Sequence, residues 1–258
     1  MSYYQQAGVS QGLVRRIPEG LSSRVKSADE YANTRLNNEE FKNANWIATF
    51  LFNAVPSRRA SMMRRFAISA MTKRALEYIK AGSGSWGQRI PTTAMDIIAA
   101  DLLDNQSKSG PYSGEFGDIT VEVEVGGAYD IRLEYNATTA AALLEKGLDG
   151  FYVVYSKGAM AEIVDSDGFV RQHFGVSSPL SDDESIDPDG TDYTLTFTPS
   201  SSTLGMSPAG YLAAQGAANN GMFAVLTFLP YRIVNNQRHT MYEYATFAAV
   251  KLGPIPTA

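Results

Sequence analysis

The sequence predicts an α+β fold, with an N-terminal arm and a helical segment followed by an antiparallel β-sandwich of about eight strands. Three observations predict it. Apolar residues recur at helical spacing from Phe41 to Leu102, then switch to strict alternation from Ile119 onward. Gly, Asp, Asn and Ser clusters cut the second half into short segments. The charge divides at nearly the same place. Residues 1–90 carry 14 Lys/Arg against 6 Asp/Glu, a net of +8, and residues 91–258 carry 8 against 21, a net of −13. The expected organisation is an extended arm over 1–34, a basic helical segment over 35–104 and an acidic sandwich domain over 118–258. The boundary is expected near Gly82–Asn105.

The arm has no sustained apolar period, and Gly8, Gly12, Pro18 and Gly20 punctuate it. A first helix is expected after Asn37, whose side chain caps it with Glu40 as the acidic partner three residues on. Phe41, Ala44, Ala48 and Leu51 form its stripe, and Pro56 ends it. A second helix is expected over about Ser61 to Lys80, with Met63, Phe66, Ala67, Ala70, Met71 and Tyr78 on its apolar side.

The basic pairs lie on and before this second helix. Arg58, Arg59, Arg64 and Arg65 stand at its N-terminus, where the helix dipole disfavours cations; Lys73 and Arg74 are better placed. These six residues are the candidate interaction surface, for phosphates or for acidic protein. The alternative is a solvated face whose arginine stems cover apolar surface.

Gly82-Ser83-Gly84-Ser85-Trp86-Gly87 matches G-x-G-x-x-G in letters only, because it closes a helix instead of following a strand. It is expected to be a flexible linker anchored by Trp86. Met95, Ile98, Ala99 and Leu102 predict a third helix over 91–103, with a buried strand as the alternative.

Ile119, Val121, Val123 and Val125 face Tyr129, Ile131, Leu133 and Tyr135 across a hairpin. A three-residue loop pairs Val125 with Tyr129, Val123 with Ile131 and Val121 with Leu133, and sets Glu122 opposite Arg132. Asn136–Lys146 reads as a capped helix. Strands follow at Phe151–Tyr155, Met160–Val164, Phe169–Phe174 and Tyr193–Phe197. Met222–Leu229 is apolar on both faces and is expected to be central, and Tyr242–Lys251 closes the domain.

Several chemistries find no residues. The chain has no cysteine and two histidines, His173 and His239, which excludes thiolate chemistry and a three-His metal site. There is no nucleophile elbow, no P-loop and no H-E-x-x-H. Asp187, Asp189 and Asp192 around Gly190 have the oxygen-rich character of a calcium loop, but a solvated acidic loop is the simpler reading. No catalytic residue, cofactor or metal is expected. No apolar run approaches the ~20 residues of a membrane helix, and the first residues show no signal-peptide pattern, so cytoplasmic synthesis without a membrane partner is expected.

The run Arg35-Leu36-Asn37-Asn38-Glu39-Glu40-Phe41, the Arg-rich helix and Gly87-Gln88-Arg89 resemble the N-terminal part of small proteins widespread in Bacteroidota. The likeness spans residues 8–90. It implies a basic helical segment followed by a strand-rich end, and it carries over no catalytic residue. Two functions fit. The first is a non-enzymatic self-assembling structural protein, a phage coat or tail component, whose partners are copies of itself or other structural subunits, with nucleic acid as the alternative partner of the basic face. The second is a carbohydrate-type ligand-binding sandwich with a helical docking segment.

Overall fold

The computed structural model describes residues 2–4, 13–15, 21–55, 62–108, 110–124, 127–176, 185–186 and 192–257. The chain is α+β with antiparallel sheets. In order it forms β1 (Ser2–Tyr4), β2 (Leu13–Arg15), α1 (Leu21–Ser27), α2 (Ala32–Ala54), α3 (Ala67–Ala81), α4 (Met95–Asp104), β3 (Asp118–Val123), β4 (Tyr129–Glu134), α5 (Ala137–Glu145), β5 (Gly150–Val164), β6 (Val170–Val176), β7 (Ser185–Ile186), β8 (Tyr193–Phe197), α6 (Pro208–Gln215), β9 (Gly221–Val234), β10 (Gln237–Thr240) and β11 (Thr246–Gly253).

The strand β9 organises the molecule. One edge pairs with β5, and the other pairs with β11 along its first half and β10 along its second. On the far side of β5 lie β6 and the short β7. Side chains alternate across this large sheet. Met222, Ala224, Leu226 and Phe228 enter one apolar cluster, together with Tyr129, Ile131 and Leu133 of β4 and Leu195 and Phe197 of β8. Phe223 and Val225 enter the other, with Ile47 and Leu51 of α2, Met71 and Ile79 of α3 and Ile98 and Leu102 of α4. The separate β3-β4-β8 sheet thus lies over one face of the large sheet, and α2, α3 and α4 over the other. The expectation that Met222–Leu229 is central follows directly from this double coverage.

Because helices and large sheet share one core, the expected domain boundary at Gly82–Asn105 divides the sequence but not the packing. Further contacts stitch the layers. Ser156 donates to the carbonyl of Ala54 at the end of α2 (2.6 Å), Gly253 N–H to Asp96 (3.2 Å), and Ala249 N–H to Asp104 (3.3 Å). The linker expected at Gly82–Gly87 is a packed turn. Ser83 pairs with Ile90, a Cβ on Gly82 would meet the Ile90 carbonyl oxygen, and Gly87, at φ +85°, presses on Leu36.

The arm and first helix also differ from expectation. Residues 2–4 pair antiparallel with 13–15, and Leu21–Ser27 is helical. Arg35 donates to the carbonyls of Val25 and Ala28, which satisfies backbone groups just where α1 ends. The helix α2 begins at Ala32, so Asn37 and Glu40 lie within it and do not cap it. Asn37 accepts a hydrogen bond from Trp86 Nε1 (3.2 Å). Glu40 is buried, and Arg89 grips it from the turn after α3. Nε reaches Oε1 at 2.7 Å and Nη2 reaches Oε2 at 2.7 Å, while Gly87 N–H donates to Oε1 at 2.9 Å. Burial alone would raise this carboxyl, but the Arg89 and Gly87 hydrogen bonds outweigh it and hold Glu40 below the usual carboxylate range.

The helix α3 starts at Ala67, later than expected, because Met63 forms an antiparallel bridge with Ser107. Arg64 N–H donates to Gln106 O and Lys108 N–H to Met62 O, both at 2.8 Å. The third helix is observed at Met95–Asp104, and α5 is capped as expected, with Asn136 accepting from Thr139 N–H. The two strands expected at 151–155 and 160–164 are one. Gly158 lies within it and leaves the space that the Phe223 ring fills. The last strand begins at Thr246, after a 3-10 turn at Tyr242–Tyr244.

The hairpin register is shifted by two residues. Val123 pairs with Tyr129, Val121 with Ile131 and Ile119 with Leu133, so Glu122 meets Asp130 and Arg132 meets Thr120. The loop still holds three residues but closes one residue earlier, where the Glu124 N–H donates to Ala128 O at 2.8 Å and the Gly127 N–H to Glu124 O at 3.0 Å. Val123, expected inward, is 66% exposed at the end of the sheet, whereas Val121 packs against the core.

Two predictions follow from this packing. Val121→Asp should cost about 1–3 kcal/mol, and Val123→Asp no more than about 0.5, in urea titrations. The reverse order would restore the expected register. Arg89→Met should cost about 2–4 kcal/mol at pH 7, because it strands a buried carboxylate. Glu40→Met with Arg89→Met should cost less than Arg89→Met alone. The folded pKa of Glu40 is depressed, so its contribution is present above the unfolded value and disappears as pH falls through the folded one. The penalty of Arg89→Met should therefore shrink in acid, and a penalty that is flat with pH would show that the pair is not its source.

Candidate functional site

The candidate basic surface divides in the structure. Arg58 and Arg59 lie outside the described residues. Arg74, on α3, is taken up locally. Its Nε donates to Asp101 and its Nη1 to Glu77, both at 2.8 Å, and the Tyr78 hydroxyl joins Asp101 at 3.0 Å. These bonds, to Asp101 first, push the guanidinium further up, and burial together with Asp101 raises Tyr78.

Arg64, Arg65 and Lys73 are exposed on a different side. Phe66, Ser69, Ala70 and Lys73 follow helical spacing, so one surface carries the ring, the small residues and the ammonium. Phe66 is 71% exposed, with the Arg65 guanidinium 5.2 Å from its ring centre. Beside it a hollow of about 590 Å³ is lined by Phe52, Met63, Phe66 and Ile68, and rimmed by Arg64, Arg65 and Lys108. Arg64 Nε donates to Ser107 O at 3.3 Å, which sets its stem along the hollow. An apolar ring between cations is suited to a partner with acidic and apolar groups together. Sequence reasoning missed Lys108. It sits in a connector, and only the backbone pairing of 62–64 with 106–108 brings it to the arginines.

A second concavity, of about 870 Å³, runs between α2 and the lower half of β6. Leu36, Glu39, Asn43, Trp46, Phe50 and Asn53 line it from the helix at alternating three- and four-residue steps. Gln172 and Phe174 line it from the strand, and Gly168, Phe169 and Gln88 close one end. Trp46 and Phe169 are exposed, and Lys42 lies 4.8 Å from the Trp46 ring centre. The charges are paired: Lys42 with Glu39 at 3.4 Å, and Arg171 with Asp165 at 2.6 Å. Nothing in the sequence pattern marked this groove, since its two walls are over a hundred residues apart.

Gln172 also donates to the buried Glu162 at 2.8 Å, and among the described residues Glu162 Oε2 has no partner. Burial pushes this carboxyl up to about 7 against the opposing pull of Gln172. His173, on the other face of β6, is held down by burial. Among the described residues no group of three or more His, Asp or Glu is arranged to hold a metal, and no helix is long and apolar enough to cross a membrane. Of the acidic loop, Asp187 and Asp189 lie outside the described residues, and Asp192 accepts from Arg132 at 2.8 Å.

The folded pKa of Glu162 is raised, so its carboxyl favours folding below about 4.5 and the stability is lost as pH rises through about 7. Between pH 5 and pH 9, Glu162→Gln should therefore gain on the unsubstituted protein by about 2–3 kcal/mol. Thermal melts at the two pH values check this, and a pH-independent difference would place the titration elsewhere.

No family model and no curated protein matches the chain.

Proposed function

We propose that the protein is a non-enzymatic structural protein that assembles with copies of itself or other structural subunits, of the kind found as coat or tail components of phage virions. In this reading the two sheets are the leaves of an antiparallel sandwich, and the helical layer presents a docking surface. The observation that carries it is Phe66, 71% exposed beside Arg64, Arg65 and Lys108, in a chain whose residues 91–258 are net acidic. An exposed aromatic ringed by cations is costly to leave in water and is characteristic of interface centres. The partner meets acidic protein before nucleic acid, because the chain as a whole has a net charge of −5 and no regular aromatic interleaving among its arginines.

The groove between α2 and β6 favours a second reading, a module for a neutral carbohydrate-type ligand. Trp46 and Phe169 supply flat apolar faces, Gln88 and Gln172 supply amides, and the charges there neutralise each other.

Electron microscopy of the purified protein, with sedimentation at low and high salt, tests the first reading. Homogeneous particles or filaments, or oligomers that weaken with salt, are expected. A strictly monomeric protein that binds glycans, with loss on Trp46→Ala, would replace it by the second.

A further inference from the structure

Resting on the self-assembly reading, we propose that the Arg64–Arg65–Phe66 hollow of one copy receives the outer face of the β3-β4-β8 sheet of the next, in a head-to-tail contact. That sheet covers the large sheet with its apolar face and turns the other outward. The outward rows are Glu122, Asp130 and Thr196, then Thr120, Arg132 and Thr194, then Asp118 and Glu134. Glu124 and Asp192 extend the acidic rows at the strand ends.

The only cation in those rows is Arg132, which Asp192 at 2.8 Å and Glu134 at 3.6 Å already hold. Glu122 directly opposes Asp130, a like-charged cross-strand pair that disfavours the sheet. Asp130, by hydrogen bonding and by its charge, also pushes Glu124 up from the usual range. An isolated fold gains nothing from this crowding, whereas cations from outside relieve it. Arg64 and Arg65 are exposed cations of the opposite layer, and Lys108 rims the same hollow. The methyl groups of Thr120, Thr194 and Thr196 give the acidic face some apolar surface to set against Phe66.

The two surfaces lie in layers on opposite sides of the large sheet. A contact between them leaves one hollow and one acidic face unused at the ends. It is therefore heterologous, and it propagates into a ring or a filament instead of stopping at a dimer.

Charge reversal tests the pairing by complementation. R64E/R65E makes both surfaces acidic, and E122K/E124K gives the outer sheet face cations to oppose the basic hollow. Each variant alone should remain monomeric in sedimentation at low salt, at concentrations where the unsubstituted protein associates. An equimolar mixture should associate again, because every contact then joins opposite charges, and the recovery shows that both variants are folded. If the unsubstituted protein associates but either variant alone does so equally well, the contact is overturned while self-assembly stands. Variants that stay apart when mixed also overturn the contact. If the unsubstituted protein is monomeric, both readings fall, and association seen only with added nucleic acid, lost in R64E/R65E, assigns the hollow to phosphates.

Discussion

The structure depends first on one buried carboxylate. Glu40 sits on the inner side of α2, where an ionised group without partners would cost several kcal/mol. Arg89 meets both its oxygens, and the Gly87 N–H meets one of them again. These donors come from the turn after α3, so the pair fixes α2 against the α3–α4 connection. Gly87 is needed there because its φ is +85° and any Cβ would fall within 2.5 Å of the Leu36 side chain. Once α2 is set, Phe50 stacks on Phe174 at 4.9 Å and meets Phe223 edge-on at 6.1 Å, which seats the helix on the large sheet. The helices then define both concavities, since α2 walls the groove and Phe52 reaches the hollow beside Phe66.

What was legible in the sequence was what has a short period. The two-faced apolar run of β9, the alternation of β3 and β4, the Asn136 cap and the stripe of α4 all depend on neighbours a few residues away. Glu40 and Arg89 were both visible, but 49 residues separate them. Asn37 and Glu40 at capping-box spacing offered a local role that the helix, starting at Ala32, does not use. The hairpin shows a different limit. Both registers keep the same residues on the same face, because a two-residue slip preserves alternation. What decides between them is where the turn closes, at Glu124 and Ala128. The strand β5 shows a third limit: two strands were expected where one runs, and the side-chain space of Gly158 at its middle is filled by the Phe223 ring of the adjacent strand.

The candidate surface was half legible for the same reason. Basic residues can be counted in sequence, but their partners cannot. Arg74 has the same charge as Arg64 and belongs to the same cluster by position, yet Asp101 and Glu77 neutralise it within the chain. Arg64 and Arg65 precede α3, where Arg64 meets the Ser107 carbonyl and Arg65 the Phe66 ring. Helical spacing then groups Lys73 with Phe66, and backbone pairing adds Lys108.

The charge division along the sequence becomes a division across the thickness of the molecule. The strands β5 and β9 lie between the helical layer and the small sheet, and they are almost wholly buried and apolar. Such a layer keeps the cations of one side from pairing with the carboxylates of the other in the same chain. Internal compensation occurs where geometry allows it, as at Arg74 and Asp101, at Arg171 and Asp165, and at Arg132 and Asp192. It fails at Glu122, Glu124 and Asp130, which share one exposed sheet face around an already engaged Arg132. Surface charges of one sign in that arrangement weaken the sheet, and stability alone would favour threonines there, as β8 has on the same face. The fold can carry that cost because the large sheet and its two apolar clusters supply the stability.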